Sequence, residues 1–144
     1  MLIHQILKNK SLAGVATVKP GSKVSDAVKL LSEKKIGAVV VSNDGVRPAG
    51  ILSERDIVAA LGDVGTSCLD QTVDDLMTAK LVTCAPGDRA IQVLQTMTER
   101  RFRHMPVMDG DDMVGLVSIG DVVKARLDEL SQQADALKNM IMGY

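Results

Sequence analysis

Ser53 and Asp56 stand three residues apart in the stretch "GILSERDIVAAL", Gly50 to Leu61, and Ser118 and Asp121 repeat that spacing in "GLVSIGDVVKAR", Gly115 to Arg126. Both stretches follow one frame: glycine, two apolar residues, serine, two variable residues, aspartate, two apolar residues. Each serine falls where a strand-like apolar run gives way to a helical pattern. Two kinds of chemistry suit such a pair. In a capping box the serine accepts a backbone N–H at the start of the helix and the acid reaches back to the serine's own N–H. In a binding site the free N–H groups and partial positive charge of the helix start favour a phosphate. The serine hydroxyl adds a hydrogen bond, and the carboxylate accepts from two hydroxyls at once, as a ribose cis-diol presents them. A duplication copies a cap as faithfully as a binding site, so recurrence alone leaves both readings open.

The differences between the copies sharpen the question. Gly120, between Ser118 and Asp121, allows a ligand close to the backbone, whereas the first copy has Arg55 there, able to reach a phosphate or to face water. Lys34-Lys35 and Arg100-Arg101 recur at equivalent positions, where a helix C-terminus welcomes cations. Arg103-His104 do not recur: the first copy has Gly37-Ala38 in their place. The fold therefore does not require these charges, and a phosphate would account for them. On this reading the cationic pair marks the cleft of Ser118 and Asp121, making that cleft the one for the more highly charged ligand. The cleft of Ser53 and Asp56 takes a singly phosphorylated ligand or stays empty, unless Arg55 or an arginine from the other copy reaches across.

The elements that position these residues repeat as well. A shift of 66 positions brings Thr17, Pro20 and Gly21 onto Thr83, Pro86 and Gly87. It also brings Val24, Ala27, Val28 and Leu31 onto Ala90, Val93, Leu94 and Met97, one face of an amphipathic helix in each copy. Ser22 and Asp88, just after the Pro-Gly turns, are the expected N-caps. "AVVVS" (Ala38 to Ser42) matches "HMPVM" (His104 to Met108), and "NDG" and "DG" signal a hairpin after each run. The expected fold class is α+β. Two β-α-β-β-α units, each too small to bury its own sheet, pack sheet to sheet about a pseudo-twofold axis. The expected division is a first repeat over 1–62, a linker over 63–76, a second repeat over 77–130 and a C-terminal helical extension over 131–144. The linker ends in a short helix at "VDDLM", with "IHQILKN" near the start as its counterpart.

Composition excludes several functions. Of 144 residues 46% are hydrophobic, enough for a core, but there is no Trp, one Tyr, one Phe and eight Met. A net charge of −1 and this shortage of aromatic residues argue against nucleic acid as a partner. No apolar run approaches the ~18 residues of a membrane span, and the first residues do not read as a secretory signal. Cys68 and Cys84 lack metal-ligand spacing and read as free cytosolic thiols, so no metal and a cytoplasmic location are expected. No GxSxG, HExxH or GxxxxGK[ST] pattern occurs, and no enzymatic activity is expected.

The segments "GILSERDIV", "VDDLMT", "RRFRHMPVMD" and "GLVSIGDVV", in this order along the chain, resemble the signature segments of a tandem pair of cystathionine-β-synthase (CBS) domains, a Bateman module. The resemblance covers essentially residues 1–130. It implies two clefts related by the pseudo-twofold, each able to hold an adenosine derivative such as AMP, ATP or NADH. Carried over, Asp56 and Asp121 hold the ribose hydroxyls, while Ser53 and Ser118 contact phosphate. Ile36 and Phe102, with Val15 and Leu81, flank the adenine, and Gly37-Ala38 and Arg103-His104 line the ribose-phosphate end. The resemblance further implies a homodimer formed through exposed helix faces, which the C-terminal stretch "DVVKARLDELSQQADALKNMIMGY" extends. It implies a sensor read by a regulated protein that the sequence does not name. The alternative is a protein-interaction module that binds no nucleotide.

Overall fold

A computed structural model describes residues 1–9 and 15–143. The first repeat runs β1 (Thr17–Val18), α2 (Val24–Lys34), β2 (Ala38–Val41), β3 (Gly50–Ser53), α3 (Glu54–Val64), preceded by α1 (Ile3–Asn9). A 3-10 turn over Gly65–Asp70 and the short α4 (Val73–Leu76) lead to the second repeat: α5 (Ala90–Arg100), β4 (His104–Asp109), β5 (Asp112–Ser118) and α6 (Ile119–Ile141). In the first repeat β1 pairs parallel with β2, and β2 antiparallel with β3. In the second, β4 pairs antiparallel with β5, and the counterpart of β1 shrinks to a single parallel bridge from Cys84 to Val107.

The apolar pattern explains the layers. All four residues of β2 are buried, because both of its faces are covered. Val39 and Val41 pack with Val24, Ala27 and Leu31 of α2, while Ala38 and Val40 point the other way. With Ile51 they meet Leu81, Met113 and Leu116 of the second repeat. Alternation along a strand thus puts one set of side chains under the helix and the other between the repeats. The second repeat mirrors this, with Met105, Val107 and Val117 packed on Val93 and Met97 of α5. Both hairpin turns place a glycine in the left-handed region, Gly45 at φ 77° and Gly110 at φ 64°. In the first, Asp44 Oδ1 accepts the N–H groups of Val46 and Arg47 at 2.9 and 2.8 Å, which holds its carboxyl below the usual range.

Two expectations are corrected. The N-caps of α2 and α5 are Lys23 and Arg89, not Ser22 and Asp88, and neither makes a side-chain cap bond. Other segments supply carbonyls instead. Val24 N–H donates to Gln71 O and Ala90 N–H to Met1 O, both at 2.9 Å, beside matching bridges Lys23–Thr72 and Leu2–Arg89. The linker therefore closes the first repeat. The N-terminal segment, adjacent in sequence to the first repeat, closes the second, with Ile3 and Ile6 buried in the second repeat's core. This explains the glycine that opens each Ser-Asp frame. A Cβ on Gly50 would collide with Met77 at the end of α4, and one on Gly115 would lie 2.7 Å from Leu7 Cδ2 of α1.

The long helix α6 continues without a break through Ile141, so the extension expected over 131–144 is its second half. Cys68 and Cys84 are free and buried, and burial pushes the Cys84 thiol up to about 12. Among the described residues no helix is long and apolar enough to cross a membrane, and no group of three or more His, Cys, Asp or Glu could hold a metal ion.

Candidate functional site

The Ser-Asp pairs form capping boxes, each at the junction of a strand with the helix that follows it. Ser53 N–H donates to Asp56 Oδ2 at 2.9 Å, the Ser53 hydroxyl to the same oxygen at 3.0 Å, and Asp56 N–H to Ser53 Oγ at 3.3 Å. In the second copy Ser118 N–H donates to Asp121 Oδ2 at 2.9 Å and Asp121 N–H to Ser118 Oγ at 3.1 Å. The junctions superimpose in register: Ala38 pairs with Ser53, His104 with Ser118. The residues just beyond them bond alike, Glu54 N–H to Gly37 O at 2.9 Å and Ile119 N–H to Arg103 O at 2.8 Å. A third box, Thr72 with Asp75, caps α4 with the same bonds at 3.1 Å. The box is therefore a helix start in its own right, and what sets a functional one apart is its surroundings.

Ser53 and Asp56 border a cleft of about 320 Å³ between the repeats. From the first repeat it is lined by Gly37, Ile51 and Ser53 to Asp56, and from the approach to the second by Thr78 and Lys80 to Val82. Across from them stands the segment Arg101 to His104, which ends α5 and enters β4. Phe102, half-buried, rests on the second repeat's core and supplies an apolar wall with Leu81 and Ile51. Arg55, Lys80, Arg101 and Arg103 are exposed at the rim, and none forms an ion pair among the described residues. Asp56 Oδ1 and the Arg55 N–H have no hydrogen-bond partner among the described residues. The cleft thus offers an apolar slot, an acceptor oxygen, a helix start and a cationic rim.

Eight of the residues singled out from sequence come together here: Gly37, Ser53, Arg55, Asp56, Leu81, Phe102, Arg103 and His104. Val15, Ile36, Ala38, Ser118, Gly120 and Asp121 do not line this cleft. Ala38 is buried between the repeats with Val15 against it, Ile36 packs on the first repeat's core, and Ser118 and Asp121 cap α6. Gly120 is exposed, and a Cβ there would meet only Ser118 Oγ at 3.6 Å.

The pairing of charges with junctions differs from the expectation. Arg103 and His104, where α5 ends and β4 begins, line the cleft of Ser53 and Asp56 in the other repeat. Nor is Gly37 vacant space: a Cβ there would sit 3.0 Å from Glu54 Oε1 and 3.2 Å from His104 Cε1.

Lys80, Arg101 and Glu54 were missed in the sequence. Arg101 read as one of two cations suited to a helix end. It is the C-cap of α5 in the left-handed region, φ 60° and ψ 43°, and lines the rim of the cleft. An arginine where glycine is the easy choice was the available signal.

Comparison with known proteins identifies the fold's owner. The CBS domain family model matches residues 11–63 and 73–128, so the chain belongs to the CBS domain family and carries two copies of the domain. It is 39% identical over 124 residues to the mitochondrial CBS domain-containing protein CBSX3 of Arabidopsis thaliana, covering 83% of this chain and 60% of that protein's length. The solved structure of a CBS-domain containing protein from Agrobacterium tumefaciens is 39% identical, with a TM-score of 0.82 over 88% of this chain and 99% of that one. A CBS domain protein from Pyrobaculum aerophilum, solved in complex with AMP, shares the fold at 20% identity, with a TM-score of 0.76 over 92% of this chain and 99% of that one.

Proposed function

We propose that this chain is a regulatory module that senses an adenosine-containing ligand such as AMP, ATP or NADH. The cleft between its CBS domains holds the ligand. One observation carries the reading: a capping box with a spare carboxylate oxygen, Asp56 Oδ1, borders the same cleft as an apolar wall and unpaired cations, Arg101 and Arg103 among them from the other repeat. Asp56 accepts the ribose hydroxyls, Ser53 and the start of α3 receive phosphate, and Phe102 with Leu81 flanks the base. The AMP complex of the Pyrobaculum protein supports the ligand class. A ligand held from both sides favours the arrangement in which the repeats are correctly spaced, and it shifts the population only by its difference in affinity for the two states. A partner protein reads that shift, so the role is regulatory rather than catalytic. Two buried free thiols suit the reducing cytoplasm.

The same reading makes the protein a homodimer. Val123, Leu127, Leu130, Leu137, Met140 and Ile141 remain exposed along α6, at near-heptad spacing. Val58, Leu61 and Val64 do so on α3. Light scattering at micromolar protein then gives about twice the 15.3 kDa chain mass, and a monomer mass contradicts this part.

Thermal denaturation in the presence of adenosine, AMP, ATP, NADH and S-adenosylmethionine tests the function. Binding to the native state alone raises the melting temperature. A rise with at least one of these ligands is expected, and no rise with any of them leaves a protein-interaction module that binds no nucleotide.

A further inference from the structure

The helix α6 has two apolar faces. On one, Val122 and Ala125 are buried against the second repeat, and nearby Glu129 pairs with the Met1 amine at 2.6 Å. From Leu130 to Ile141 every residue is exposed, so about three turns run on as an overhang beyond the body of the chain. The other face is a stripe of Val123, Leu127, Leu130, Ala134, Leu137 and Ile141, exposed along the whole helix. Its spacing alternates four and three residues, the pattern of a coiled-coil seam. At 3.6 residues per turn all six lie within about 40° of one line. Leu137 and Ile141 are 58% and 78% exposed. A helical segment shorter than ~12–15 residues is marginal in water by itself, so this overhang needs a surface to pack on.

The stripe supplies that surface in a second copy. It divides evenly, with Val123, Leu127 and Leu130 on the half anchored to the body and Ala134, Leu137 and Ile141 on the overhang. Turned antiparallel about the midpoint, two α6 helices set Val123 against the partner's Ile141, Leu127 against the partner's Leu137 and Leu130 against the partner's Ala134. Each layer then joins a larger and a smaller side chain or two leucines, as even packing requires. Each overhang lies along an anchored half and is held by it. In a parallel pair the overhangs support only each other, Ala134 faces its own copy and leaves a gap in the seam, and the helix dipoles align unfavourably. The antiparallel pair has one electrostatic cost, Lys124 beside the partner's Lys138 at each end of the seam. Both lysines are exposed, so the repulsion is screened, and Asp128 and Asp135 stand one turn away from them on their own helix.

We infer that two copies of this chain join through an antiparallel pair of α6 helices, each overhang covering the stripe on the anchored half of the other. This rests on the homodimer reading above and assigns its interface and orientation.

Light scattering and cysteine cross-linking of the full chain test it. Leu137→Glu combined with Ile141→Glu alters only exposed side chains of the overhang, and a cooperative melting transition verifies that the body of the variant is folded. Its mass at micromolar protein is expected to fall from about twice 15.3 kDa to 15.3 kDa, with dimer affinity at least tenfold weaker. A dimer of unchanged affinity overturns the inference and leaves the homodimer reading standing on α3. A monomeric wild type removes both. Orientation is read separately. Val123→Cys combined with Ile141→Cys is expected to give a disulfide-linked dimer under mild oxidation, and each substitution alone is expected to give none. The two positions are about 27 Å apart along one helix, so they cannot link within a chain. Cys68 and Cys84 are buried, and the unsubstituted chain gives the background. Linking by Ile141→Cys alone as fast as by the pair marks a parallel seam and overturns the inference, as does a dimeric double-cysteine variant that fails to link.

Discussion

The Asp56 carboxylate uses Oδ2 for both of its bonds to Ser53, the backbone N–H at 2.9 Å and the hydroxyl at 3.0 Å, leaving Oδ1 without a hydrogen-bond partner among the described residues. A residue in this position has a structural and a functional share, and the two separate by experiment because the molecule contains a control. Thr72 and Asp75 make the same box on α4, exposed and outside the cleft lining. Asp75→Ala removes a cap and lowers stability by about 0.5–2 kcal/mol without changing nucleotide affinity. Asp56→Ala lowers stability by a similar amount and in addition weakens nucleotide binding by about 1.5–3 kcal/mol, the range for hydrogen bonds to a charged acceptor. Chemical denaturation and calorimetry on the two variants give both quantities. Equal affinities for wild type and Asp56→Ala would remove the carboxylate from the site.

At the level of elements, the paired helices α2 and α5 end on Lys35 and Arg101, each in the left-handed region, at φ 53° and φ 60°. A side chain with a Cβ is disfavoured there by roughly 1 kcal/mol relative to glycine. Both Lys35→Gly and Arg101→Gly should therefore stabilise the fold slightly, by about 0.5–1 kcal/mol. Only Arg101→Gly, whose side chain lines the cleft, should weaken ATP binding. Melting curves with and without ATP compare them, and a loss of ATP response in Lys35→Gly equal to that in Arg101→Gly would contradict the assignment. Much of this layer was legible in the sequence. The helix faces, the hairpin turns at Asn-Asp-Gly and Asp-Gly and the capping boxes are all local, written within a few residues. What remained hidden depends on contacts between distant segments. The first amides of α2 and α5 bond to backbone carbonyls from α4's approach and from the N-terminus, which no side-chain pattern announces. The direction taken by Arg103 and His104 likewise follows from how the two sheets face each other.

Taken whole, the molecule is two copies of one unit that depend on each other. Each repeat's sheet is covered on one side by its own helices and on the other by its twin, and each is closed by a segment that the chain delivers from outside it. Residues from both copies build the cleft, so its shape reports how the repeats are spaced, which is the property a sensor needs. An adenosine ligand is expected to sit across this junction. A diffraction structure of crystals grown with AMP tests it most directly. The expected result is density for AMP in the Ser53–Asp56 cleft, with ribose hydroxyls on Asp56, phosphate at Ser53 and the start of α3, and the base against Phe102 and Leu81. An empty cleft at saturating AMP, or AMP bound only elsewhere on the surface, would contradict the account.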